Sequence, residues 1–291
     1  MKKFVIGAGL AAATFVAASP AAAQMDPETS WTGFYVGGRA GYSWQPNDND
    51  ERVGFDTNRD GNFNDTVTTA TGANAFSPGF CGGLALTSAR GAGCRADKNA
   101  LEYAAVAGFD YQIGNAIVVG AVVDYGNSNV NDYLSGFSTT PANYTLSRGL
   151  RGVGTLRARA GYAFNLFTPE PSTLVYATGG GAYGRVRNRF TTTNTTNTFT
   201  NPNGSDARTE AWKDNVWGYT YGGGIEQKIG RFSIGAQYLF TALRDNDYTV
   251  NVAGGPAGNP FIRANAAGTQ LNRQFRDFAR HSVTVSTTYR F

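Results

Sequence analysis

The sequence predicts an all-β fold, an eight-stranded antiparallel β-barrel, on three observations. Apolar and polar residues alternate in segments of about ten residues. Successive strand side chains face opposite sides of a sheet, so each segment has one greasy and one polar face. The gaps between segments are alternately short and long. The chain also opens with an export-type leader, and no later stretch of about eighteen apolar residues could cross a bilayer as a helix. Together these predict a transmembrane barrel with short periplasmic turns and four long extracellular loops.

The leader covers residues 1–23. Met1-Lys2-Lys3 gives a charged start, Phe4 to about Ala18 is apolar, and Ser19-Pro20 and Ala21-Ala22-Ala23 supply a break and small residues. That order marks a secretory signal cleaved near Ala23–Gln24, leaving residues 24–291 as the barrel domain. Removing Lys2 and Lys3 from a formal charge of +4 leaves +2, too little to argue for a nucleic-acid partner. Thirty-eight glycines and 13% aromatic residues, with sparse Leu, Lys and Glu, favour strands and turns.

Each strand follows from its alternation. In the first, Phe34, Val36, Ala40 and Tyr42 oppose Tyr35, Gly37, Arg39 and Gly41. In the second, Leu101, Tyr103, Phe109 and Tyr111 oppose Glu102, Asp110 and Gln112; in the third, Ile117, Val119, Val123 and Tyr125 oppose Asp124. The fourth sets Leu156, Ala158, Ala160 and Tyr162 against Arg157 and Arg159. In the fifth, Leu174, Tyr176, Ala182 and Val186 are expected on the apolar face, opposite Tyr183, Arg185 and Arg187. The sixth sets Trp217, Tyr219, Tyr221 and Ile225 against Thr220, Glu226 and Lys228. The seventh sets Phe232, Ile234 and Tyr238 against Ser233 and Gln237, and the last sets Val283, Val285, Tyr289 and Phe291 against Ser282, Thr284 and Arg290.

A soluble sandwich would alternate too. Charges among glycines on the polar faces, and aromatics near the ends of the apolar faces, fit a narrow lumen and interface girdles instead. The expected lumen charges are Arg39, Glu102, Asp110, Asp124, Arg157, Arg159, Arg185, Arg187, Glu226 and Lys228, with Asp124 and Arg157 at similar heights as an ion pair. Short turns fall around Gly114-Asn115, Asn165–Ser172 and Gly230; long gaps run over about 44–100, 127–148, 188–215 and 242–277.

The first and last strands also carry a resemblance. Trp31-Thr32-Gly33-Phe34-Tyr35-Val36-Gly37-Gly38, then Gly41-Tyr42, resembles the first strand of the small outer-membrane barrels called porin-family or opacity-like proteins. Tyr289-Arg290-Phe291 is similar to their last strand. The resemblance implies a place in the outer membrane of a Gram-negative bacterium, surrounded by its lipid. It also implies that Val283, Val285, Tyr289 and Phe291 are the C-terminal signal read by the barrel-assembly machinery.

Other features bear on chemistry. Cys81 and Cys94 are the only cysteines; in an exported chain they are expected to form one disulfide closing a local loop. Asp56, Asn58, Asp60, Asn62, Asn64 and Asp65 begin like a calcium loop, with the turn glycine at Gly61, but Val67 stands where the pattern wants Glu. A polar turn accounts for the same residues. No other cofactor is implied. His281 is the only histidine, and its neighbour Ser282 should point the opposite way, so no catalytic pair is evident. The polar stretches Phe137–Tyr144, Thr191–Thr200 and Ala253–Ala267 suggest mobile, solvated loops able to meet an extracellular partner. A structural or surface-interaction protein is the first expectation. A narrow anion-preferring channel is the second, and an outer-membrane lipid-modifying enzyme a disfavoured third.

Overall fold

The structure is a computed structural model that describes residues 30–46, 51–166, 172–245, 248–274 and 277–291. The expected leader lies outside the described residues. β1 (Gly33–Trp44) leads into a first excursion carrying β2 (Val53–Asp56), β3 (Gly79–Cys81), β4 (Leu84–Ala85) and β5 (Cys94–Arg95). β6 (Ala100–Ile113) and β7 (Ile117–Ser128) form a hairpin, followed by β8 (Asn131–Ser138) and the 23-residue β9 (Ala142–Phe164). β10 (Thr173–Thr192), β11 (Thr198–Thr200), β12 (Trp212–Ile229) and β13 (Phe232–Arg244) come next. β14 (Thr249–Ala253), β15 (Thr269–Arg273) and β16 (Asp277–Arg290) complete the set.

Eight of these strands close a ring. In the order β1, β6, β7, β9, β10, β12, β13, β16 each pairs antiparallel with the next, and β16 returns to β1 with Tyr35 opposite Arg290 and Trp44 opposite His281. Gly114 and Gly230 turn the short hairpins with φ of 61° and 60°, a conformation that costs glycine nothing. Inside, Gly108 and Gly224 leave the space that the rings of Tyr35 and Tyr176 occupy.

The faces fall as alternation requires in seven of the strands. Phe34, Leu101, Tyr103, Ile117, Val123, Leu156, Trp217 and Val285 stand on the exposed outer wall, while Tyr35, Arg39, Glu102, Asp124 and Arg157 are buried inside. Ring pairs mark two girdles: Phe34–Phe109 at 4.7 Å and Phe232–Tyr289 at 5.1 Å near the short turns, and Tyr183–Trp217 at 4.6 Å near the long excursions. The nine residues from Val175 to Tyr183 separate the two levels on β10, the length of a tilted transmembrane strand.

β10 departs from the sequence expectation. Leu174, Tyr176, Ala182 and Val186 face inward, and Tyr183 and Arg185 face outward. Arg185 and Arg187 are therefore not lumen residues. Their strand is read one residue out of phase because the lumen is not polar throughout. Ala182 and Val186 pack inside with Val130, Leu150, Val153, Val216, Leu243 and Phe278.

The long gaps also differ from expectation. Residues 127–148 are mostly a hairpin, with β8 paired to the upper part of β9 from Asn131 opposite Gly149 to Ser138 opposite Ala142. Above the barrel, β11, β14, β15 and β2 form a second sheet. It encloses a core of Phe55, Phe76, Tyr144, Phe190, Phe199 and Phe261 with aliphatic neighbours. Phe76 lies 4.5 Å from Phe55, 5.1 Å from Tyr144 and 6.0 Å from Phe261, ring centre to ring centre. Stretches expected as solvated loops are thus folded: Phe137, Phe199 and Phe261 are buried. The excursions make one platform rather than four separate loops.

Candidate functional site: a filled lumen beneath a folded platform

The interior is layered from the short-turn end upward. Trp31 is wholly buried and packs with Val118, Ala163, Leu174 and Tyr176. Lys228 Nζ donates to the Ser30 carbonyl at 2.7 Å, and the cations of Lys228 and Arg290 each sit 5.5 Å from the Trp31 ring. The segment before β1 therefore closes this end.

Above it lies a four-membered charge cluster. Arg159 donates through Nε to Asp110 Oδ1 at 2.7 Å, through Nη2 to Asp110 Oδ2, and through Nη1 to Glu226 Oε1 at 2.7 Å. Arg290 Nη2 donates to Asp110 Oδ2 at 2.7 Å. Arg159 is also clasped between Tyr35 and Tyr176, each ring centre 5.0 Å away. Two acids thus meet two guanidiniums, as a dry interior demands.

A second cluster follows. Arg157 Nη2 donates to Asp124 Oδ2 at 2.5 Å, Arg39 Nη2 to Asp124 Oδ1 at 3.0 Å, and Thr155 Oγ1 to Asp124 Oδ2 at 2.7 Å. Glu102 accepts from Arg39, from Ser43, and from Arg280 Nη1 at 2.5 Å. Arg280 is missing from the sequence-derived set, and Arg290, read there on the polar face of the last strand, is not among its lumen charges. Their even positions in β16, in phase with Ser282 and Thr284, were the available signal. Between the clusters remains a cavity of about 20 Å³ beside Tyr35, Arg39, Arg157 and Glu226, room for about one water.

Past the apolar layer of Val186, Leu243 and Phe278, a third cluster joins barrel to platform. Arg148 Nε donates to Asp132 Oδ2 at 2.6 Å and Arg148 Nη2 to the Asp277 carbonyl at 2.9 Å. Arg273 Nη1 donates to Glu51 at 2.6 Å and to Asp132 at 2.7 Å. Burial, partly opposed by Arg273, holds the Glu51 carboxyl up at about 7. Arg148 and then Arg273 overcome burial at Asp132 and hold it below the usual carboxylate range.

The platform carries a cleft of about 470 Å³ between the tips of β8–β9, the segment before β11 and the 256–261 turn. Phe76, Tyr144 and Phe261 form its floor; Ser138, Asn194, Asn197 and Asn259 supply polar atoms, and no lining residue is charged. Tyr144 Oη accepts from Asn194 Nδ2 at 2.9 Å.

The remaining sequence-derived sites are placed as follows. Cys81 and Cys94 are disulfide-bonded. Asp56 accepts from the amides of Arg59 at 2.5 Å, Asp60 at 3.1 Å and Gly61 at 2.8 Å, and Asp65 accepts from Thr57 N at 2.8 Å. Asp60 accepts from the Asn62 amide at 2.8 Å, while Asn58, Asn62 and Asn64 lie along the same turn. Val67, at the position of the missing Glu, is in the platform core. The loop's own amides donate to Asp56, Asp60 and Asp65, and no group of three His, Cys, Asp or Glu suited to a metal occurs among the described residues. With Val67 in the core, the acid that closes a full calcium loop is missing from its position. His281 sits on the outer wall, stacked on Trp44 with ring centres 5.5 Å apart, and its Nδ1 is 2.7 Å from Tyr238 Oη. Ser282 is buried on the inner side. Val283, Val285, Tyr289 and Phe291 form the outer face of the last strand.

No protein-family model matches the chain. It is similar to the 31 kDa outer-membrane immunogenic protein of Brucella melitensis and to that of Brucella suis. Each is 28% identical over 238 residues, 77% of this chain and 76% of the relative. Among solved structures it is similar to the outer membrane protein OprG of Pseudomonas aeruginosa, at 10% identity and TM-score 0.41 over 89% of this chain and 97% of the other. It is also similar to Ail, the attachment invasion locus protein of Yersinia pestis, at 8% identity and TM-score 0.32 over 89% and 99%.

Proposed function

We propose that this outer-membrane β-barrel is a structural and surface-interaction protein that presents a folded platform at the cell exterior and does not conduct solutes. The filled lumen carries the reading. Paired guanidiniums and carboxylates leave a cavity of about 20 Å³ in the barrel interior, smaller than any nutrient solute. The platform supports the second half: its own apolar core fixes a cleft of about 470 Å³, within the range of small-ligand sites. Its uncharged polar lining suits a neutral, hydrogen-bonding ligand. The Brucella relatives carry no enzyme name, in keeping with a non-enzymatic role. Planar-bilayer recording of the refolded chain tests the reading. The expected result is no unit conductance, with or without Arg157→Gln. A steady conductance in the unaltered chain that Arg157→Gln alters would replace it with the narrow anion channel.

A further inference from the structure

We infer that the outer wall of β9, β10 and β12 holds a binding site for the phosphate-bearing headgroup of an outer-leaflet lipid. Arg151, Arg185, Arg187 and Lys213 form it. The strands place them together. Arg187 lies opposite Lys213 across β10 and β12, and Arg185 lies opposite Asn215. Between Gly184 and Val186 the β9 register slips, from Val153 to Leu150, so Arg151 and Gly152 both face Arg185. A bulge of this kind re-aims a side chain, and here it sets Arg151 at the β9 position that faces Arg185.

The wall at this level is one-signed. The positions that the register sets against or beside the four cations on this face, Ser147, Gly149, Gly152, Arg189 and Asn215, include no acid. Asp214 neighbours Arg187 in the register of its strand, but it pairs with the inward Val186 and acts on the buried Asp245. None of the four forms an ion pair with a described residue. Arg151 Nη1 donates to Asn129 Oδ1, and Arg185 Nε donates to Asn215 Oδ1 at 3.3 Å. By contrast the buried Arg39, Arg157 and Arg159 of the lumen and Arg148 beneath the platform each meet a carboxylate. The outer cations meet only neutral asparagine oxygens, and their charge has no carboxylate partner among the described residues.

Height identifies that partner. Tyr183 and Trp217 mark the upper girdle, where aromatic rings sit at the hydrocarbon boundary. Arg185 and Arg187 lie two and four residues above Tyr183 on the same strand face. At roughly 3.3 Å per residue on a tilted strand, that is about 5–10 Å into the headgroup layer. Forked guanidiniums beside one another suit phosphate oxygens. The inference rests on the outer-membrane placement of the wall and not on what the platform contacts, so either can fail alone.

Native mass spectrometry of the full chain in detergent, titrated with lipid A bearing both phosphates, tests it. We expect lipid adducts that weaken about a hundredfold in R185Q/R187Q/K213Q, at roughly a factor of five per cation. The exposed-loop control R52Q/R95Q/R263Q should bind as the unaltered chain does, and dephosphorylated lipid A should bind as weakly as the patch variant. Equal affinity of the unaltered chain for phosphorylated and dephosphorylated lipid A overturns the inference, and needs no variant to fold. Undiminished binding by the patch variant overturns it too. So does displacement of the lipid by inorganic phosphate at equal concentration, which would make the site one for free anions.

Discussion

The barrel and the platform above it are built inside out relative to each other. The barrel encloses Arg157, Arg159, Asp110 and Asp124 and shows Leu101, Ile117 and Leu156 to its surroundings. The platform encloses Phe76, Tyr144 and Phe199 and shows Asn, Thr and Asp. One chain obeys both rules because its solvent changes at the upper girdle. In lipid the wall must be apolar and the remaining charges must neutralise one another inside. In water the apolar side chains must hide. β9 and β10 pass through both regimes, and their contents invert along the way.

Breaking the charged half should cost most. Asp124→Ala leaves Arg39 and Arg157 without their shared acceptor, and one-sided removal of buried charge costs about 3–5 kcal/mol. Urea unfolding in detergent should show that loss in the barrel transition. Phe76→Ala attacks the other half and is expected to cost about 3 kcal/mol, confined to the platform. Limited proteolysis should cut the excursions while the barrel keeps its heat-modifiable mobility on gels. If both variants lowered one common transition equally, the two regions would be a single cooperative unit and the contrast would fall.

Acidity sharpens the boundary between them. Glu51 is held up at about 7 and Asp97 at about 6, both chiefly by burial. From the unfolded value of 4.5 up to about 7, the folded chain keeps a proton on Glu51 that the unfolded chain has released. Stability therefore falls as pH rises through that window. Asp97 acts with the same sign over a lower range, whereas Asp132, held low, loses its contribution only as pH falls below the usual carboxylate range. Melting curves across the window should slope downward, and Glu51→Gln should flatten the slope. The smallest effect is expected at the exposed Arg208–Asp206 pair of the platform, 2.8 Å apart. Arg208→Ala should change stability by less than about 1 kcal/mol.

How much of this was legible depended on which neighbours a residue needed. Period-two alternation needs only the adjacent chain, so the wall of β6, β7 and β13 could be read directly. It failed on β10, where Gly179-Gly180-Gly181 carries no side chains to mark a face, and where the inward residues above and below are apolar. The lumen pairing of Asp110 with Arg159 joins residues 49 positions apart, so sequence could offer the charges but not their partners. The platform was hardest. Phe76, Tyr144 and Phe261 sit singly in polar stretches, and only the fold brings them within about 6 Å of one another.

The platform sheet takes β2 from the first excursion, β11 from the third, and β14 and β15 from the fourth. Any footprint on its roof is consequently a mosaic, assembled from stretches that are strangers along the chain. A peptide copied from a single excursion would carry the letters of such an epitope without its shape, and antibodies raised against that peptide should pass over the intact cell. Binders for this surface have to be selected on the refolded chain.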